Sequence, residues 1–132
     1  MFRYFPSAQH MDADLAACRK ALQLAQDLGD AALVAETQVI QGYVRMLKSI
    51  HGIAEKVAGR ESLDDPARKA LQDSYNELAA AGQEVEVNLQ TWKNLVAPDD
   101  RAPRFQDTLD ATRGTITGIR RSLAAFGIKA DQ

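Results

Sequence analysis

One cysteine, four prolines and eight glycines among 132 residues leave this chain with little covalent or conformational punctuation. Because Cys18 is alone, the chain holds no internal disulfide, no paired-cysteine redox site and no haem-attachment motif. Charge of one sign is lacking too: 16 lysines and arginines stand against 18 aspartates and glutamates, for a net charge of −2. Nucleic-acid binding needs a concentrated positive field, so that class of partner is not expected. No apolar run approaches the roughly 20 residues that cross a bilayer, so no membrane span is expected. The start Met1-Phe2-Arg3-Tyr4-Phe5-Pro6 has neither the apolar stretch nor the small-residue cleavage site of a secretory signal. A cytoplasmic location is the expectation.

What is present is a helical pattern. The 45% apolar content suits one globular domain, and a chain of this length buries roughly two-thirds of its unfolded surface. The few glycines and prolines fall between four amphipathic stretches, predicting helices at about 12–28, 30–58, 66–96 and 103–126. Gly29 and Gly59 follow the first two, as residues just past a helix end often do. Asp30 is suited to cap the second helix, and Asp64-Asp65-Pro66 has the order expected where the third begins. In the second helix Leu33, Ile40, Leu47 and Ala54 recur every seven residues, and Val39, Met46 and Ile53 widen the face. Leu71, Leu78, Val85 and Trp92 do the same in the third. In the fourth, Leu109, Thr112, Ile116, Ile119 and Leu123 alternate steps of three and four. The first, with Met11, Leu15, Cys18, Leu22 and Ala25, carries a shorter stripe. Such stripes pack at shallow angles, and short loops make neighbours antiparallel. The fold class is therefore all-α, an antiparallel bundle of about four helices over 11–128, with an N-terminal aromatic arm (1–10) and a short tail (129–132).

Helix lengths introduce a mismatch. The second helix should extend about 40 Å and the first only about 25 Å, so the first ends near Leu47. Ile50, Ile53 and Val57 would then lack a fourth neighbour. The arm, with Phe2, Tyr4 and Phe5, is the preferred cover, since a solvated aromatic arm is itself an apolar liability. The alternative is a groove for a partner helix or a second copy of the chain.

Catalytic apparatus is scarce. His51 and Glu55, one turn apart, are the only metal-ligand pair the pattern suggests, and the repeated Glu-x-x-His motifs of di-iron bundles do not occur. Cys18 on an apolar stripe reads as a small hydrophobe. Glu84 and Glu86 point to different sides of their helix, so they do not form a carboxylate pair. Trp92 belongs to its helix's apolar series and reads as core. Gly114 and Gly118 invite close approach of another helix, because glycine within a helix costs about 1 kcal/mol relative to alanine. Gly42 and Gly52 receive no role. No phosphate loop or nucleophile elbow is found, and no cofactor is called for. The sequence thus leads us to expect a non-enzymatic bundle that mediates protein–protein interaction, as an adaptor, regulator or inhibitor, with a protein partner or itself as a homodimer. A small-molecule- or metal-binding bundle that uses His51 is the alternative.

Overall fold

The computed structural model describes residues 8–60, 62–95 and 102–128. It contains four helices: α1 (Ala8–Leu28), α2 (Ala31–Val57), α3 (Asp65–Leu95) and α4 (Ala102–Ala124). No strand occurs among the described residues. Adjacent helices pack in chain order, α1 on α2, α2 on α3 and α3 on α4, giving the expected four-helix bundle.

The chemistry at the helix ends explains the boundaries. Gly29 and Gly59 both adopt φ of +69°, the left-handed conformation that glycine enters without a Cβ penalty. The amide of Asp30 then donates to the Ala25 carbonyl at 3.2 Å, closing the end of α1. The same residue caps α2, its carboxylate accepting from the Leu33 amide at 3.1 Å. Asp64 does this for α3, accepting from the Ala67 amide at 2.9 Å. Pro66 follows within the first turn, where its missing amide hydrogen costs nothing.

The boundary that moves most is the start of α1, four residues ahead of the predicted Asp12, while the others lie within two residues of their predicted places. Nothing in Ala8-Gln9-His10-Met11 breaks a helix, and Met11 is buried in the seam with Val44 and Leu47, which rewards the extra turn. The helix then measures about 31 Å over its 21 residues, and an exposed ion pair between Lys48 and Asp12 (2.7 Å) joins its first half to α2.

The core is divided. The larger part lies among α2, α3 and α4 and includes Met46, Leu71, Leu78, Val85, Leu89 and Leu123. Burying each such side chain contributes on the order of 1.5–3 kcal/mol. A separate, smaller cluster of Met11, Leu15, Cys18 and Val44 joins α1 to α2. The strip expected to lack cover belongs to the larger core. Ile53 is 4% exposed, in one cluster with Leu63, Tyr75 and Ile128, and Ile50 and Val57 pack against that cluster. The strip is thus packed within the chain's own core, where the loop residue Leu63 and the chain's closing turn at Ile128 belong to the same cluster.

Two helix crossings rest on glycine. A methyl group added to Gly42 of α2 would lie 2.6 Å from Cγ2 of Val85 on α3. One added to Gly82 of α3 would collide with Cδ1 of Ile116 on α4. Gly114 and Gly118 of α4, by contrast, have open space where a methyl would stand. The close-approach role expected of that pair is not one they fill within the chain, and the unassigned Gly42 fills it instead.

Candidate functional site

The titratable residues are arranged as fasteners. His51 Nε2 lies 2.8 Å from Glu55 Oε1, one turn along α2, a pair in solvent contact that is ionic when the imidazole is protonated. Metal binding needs more donors. Among the described residues no group of three or more His, Cys, Asp or Glu side chains is placed to hold a metal ion. Glu84 and Glu86 turn to opposite neighbours, as their spacing predicts. Glu84 accepts from Arg45 of α2 at 2.7 Å, while Glu86 accepts from Nε and Nη2 of Arg113 of α4 at 3.1 and 2.9 Å. Arg113 is thus paired within the bundle. Arg68 bonds Asp65 at the start of α3.

Cys18 is buried in the α1–α2 seam, where the sequence pattern put it. Burial, and secondarily the negative charge of Asp14, push its pKa up. Both causes disfavour the thiolate, which is the reactive form. Trp92 is buried in the main core, also as expected.

Sequence reading missed a polar joint between α2 and α4. The Tyr43 hydroxyl approaches the Thr108 carbonyl at 3.1 Å and the Thr112 hydroxyl at 2.7 Å, and Thr112 donates to the Thr108 carbonyl at 2.8 Å. Two hydroxyl protons serve three close contacts, so two of the bonds form at a time. Burial raises the pKa of Tyr43, while the bond to Thr112 acts in the opposite direction. Thr112 is fully buried, and its hydroxyl within an otherwise apolar stripe was the signal available in the sequence.

Two surface features remain. A solvent-open groove of about 510 Å³ has Leu15 of α1, Arg45, Ser49 and Lys56 of α2, and Ser74 and Glu77 of α3 among its lining residues. The other is apolar. Leu24 and Leu28 of α1 are 63% and 75% exposed, and Leu33 and Ile40 of α2 are 38% and 39% exposed. These four leave the α1–α2 hairpin with much more exposed apolar surface than α4, which contributes none of the exposed large hydrophobic side chains among the described residues.

The candidates Phe2, Tyr4 and Phe5 lie outside the described residues. Ile50, Ile53 and Val57 are engaged by the chain's own core, and Gly114 and Gly118 are exposed on α4. Among the described residues no helix is long and apolar enough to cross a membrane. The chain matches no family model, and neither curated proteins nor solved structures give a match.

Proposed function

We propose that the chain is a non-enzymatic interaction module that docks a protein through exposed apolar side chains of its α1–α2 hairpin. The observation that carries this reading is the exposure of Leu24, Leu28, Leu33 and Ile40 within one hairpin. Single exposed leucines are ordinary, but a concentration of them keeps apolar surface in water at a cost of about 25 cal/mol per Å², and binding removes that cost. The roles of the charged groups support the same reading. Arg45, Lys48, Arg113, Glu84 and Glu86 hold helices together, and the single thiol is disfavoured as a nucleophile. A reducing, cytoplasmic setting suits that buried thiol.

The test is a photo-crosslinking amino acid at position 28, compared with the same group at Thr115 on the exposed side of α4, both in the native cell. Protein adducts specific to position 28 are expected. Equal adduct patterns at the two positions would remove the basis for the reading.

A second reading takes its support from the His51–Glu55 contact: a metal or small molecule held beside α2. Elemental analysis and absorbance of the purified protein test it. A stoichiometric metal or chromophore that His51→Ala abolishes would reverse the order of the two readings.

A further inference from the structure

Charge is divided unevenly between the two ends of the bundle. Between Lys20 and Arg45 the chain runs for 24 residues without a lysine, arginine or histidine, and it carries three carboxylates there, Asp27, Asp30 and Glu36. All three are exposed, and none forms an ion pair with a described residue. Asp27 accepts from the Gln23 side-chain amide at 3.0 Å and Asp30 from the Leu33 backbone amide at 3.1 Å. Those neutral donors orient the carboxylates and leave their charge uncancelled.

The neighbouring helices keep the balance negative. Glu84 of α3 meets Arg45 of α2 and Glu86 meets Arg113 of α4, so the end of α3 and the start of α4 reach the level of the Gly29 turn. Asp107 and Asp110 are exposed on that part of α4. Lys93 is the described cation from α3 at this end, and it is engaged in an interaction of its own. In the sequence Arg101 and Arg104 stand among Asp99, Asp100, Asp107 and Asp110. Arg19 and Lys20, about one turn before Leu24 on α1, mark the border of the region. Towards the far end charges of both signs are joined, Lys48 to Asp12, Arg68 to Asp65 and Lys69 to Asp73.

The acidic end also holds Leu24, Leu28, Leu33 and Leu95, four of the six exposed large hydrophobic side chains among the described residues. Apolar anchors within a field of one sign select a partner on two properties at once. A second copy would bring the same carboxylates to the contact, and nucleic acid or an anionic membrane would also be repelled. A helix with aliphatic or aromatic anchors on one face and lysine or arginine beside them satisfies both demands.

We infer that the hairpin end of the bundle docks a cationic amphipathic helix of another protein. The inference rests on the interaction reading above and names the chemistry of its partner. Leu24, Leu28, Leu33 and Leu95 take the apolar anchors, while Asp27, Asp30 and Glu36 face the cations that flank them.

The probe is a labelled peptide of about 18 residues with leucines on one helical face and lysines on the other, titrated with the full chain by fluorescence anisotropy. Its counterpart carries glutamate in place of lysine. The lysine peptide is expected to bind and the glutamate peptide is not, and salt raised from about 0.05 to 0.5 M should weaken the binding. Asp27→Asn, Asp30→Asn and Glu36→Gln together should weaken it by about tenfold or more, with the α2 cap kept because asparagine also caps. Leu24→Ser with Leu28→Ser should do the same, with an unchanged circular dichroism spectrum because both side chains are in solvent. Neutralising three exposed carboxylates elsewhere, by Glu55→Gln, Asp73→Asn and Glu77→Gln, should leave the affinity unchanged. Equal losses from the two neutralised chains overturn the inference, as do indifference to the serine pair, equal binding of both peptides, or no binding of the lysine peptide. The crosslinking group at position 28 separates this inference from the reading beneath it. Specific adducts that persist in the chain neutralised at the hairpin leave the interaction reading standing and remove the cationic partner. Absence of specific adducts at position 28 removes both.

Discussion

The core among α2, α3 and α4 and the seam between α1 and α2 are built on different principles. The first is a wide cluster fed by three helices and two chain turns, with glycine crossings, cross-helix ion pairs and a buried hydroxyl joint. The second has four buried side chains and one partly buried leucine, supported by a single ion pair. The contrast teaches that one chain need not have one stability. α2 is a shared wall, and the expectation is that its two faces respond separately to substitution.

Five experiments sharpen or break this contrast, and the largest effect is expected in the main core. Leu78→Ala empties a fully buried position and should lower the unfolding free energy by about 2–5 kcal/mol in chemical denaturation, with loss of all four helices together. Leu15→Ala in the seam should cost less and spare α3 and α4. Equal global loss from both would dissolve the distinction. Next comes Gly42→Ala, expected to cost about 1–3 kcal/mol because the β-branched Val85 has little freedom to withdraw. Gly82→Ala should cost less, since the obstructing atom is the flexible end of Ile116.

Removing the hydroxyl joint ranks third. Thr112→Val keeps the shape and leaves the Tyr43 hydroxyl with the Thr108 carbonyl, so a loss of about 1 kcal/mol is expected by thermal or denaturant unfolding. Smallest is a gain: Gly118→Ala has open space around it and should stabilise by about 0.5–1 kcal/mol. For the seam itself the readout is kinetic. Cys18 should react with a thiol reagent far more slowly than in the unfolded chain at pH 8, because its raised pKa leaves less thiolate and its sulfur is covered. Met11→Ala should accelerate that reaction without altering amide exchange in α3. Because the folded-state pKa lies above the unfolded one, the thiol's contribution favours folding at lower pH. That contribution is lost as pH rises from the unfolded toward the folded value.

Much of the architecture was legible because burial and helix period leave a mark on residue order. Leu71, Leu78, Val85 and Trp92 all proved buried, and Asp30 and Asp64 proved to be the caps. The start of α1 was less legible, since Ala8 to Met11 carries no stop or start signal and its helicity follows from contacts with α2. The glycines show a different limit. Gly82 stands between Leu78 and Val85 on the strict seven-residue face, and Gly42 between Val39 and Met46 on the widened one, so position on the stripe was the available clue. Their spacing to one another carried none, and the regular pair Gly114 and Gly118 drew attention to a solvated side of α4.

Gly29 has one further consequence. Only it and Asp30 lie between two helices, and its left-handed torsion makes the reversal. Were that torsion and the extended backbone of Asp30 (φ −92°, ψ 95°) both to become helical, residues 8–57 would run on as one rod of about 75 Å, with no fold-back for α1 to complete. Val44 and Leu47 would then be free to accept the α1 of a neighbouring molecule, and two chains would exchange their first helices. The backbone angles of two residues, Gly29 and the extended Asp30, separate a self-contained hairpin from an entwined pair.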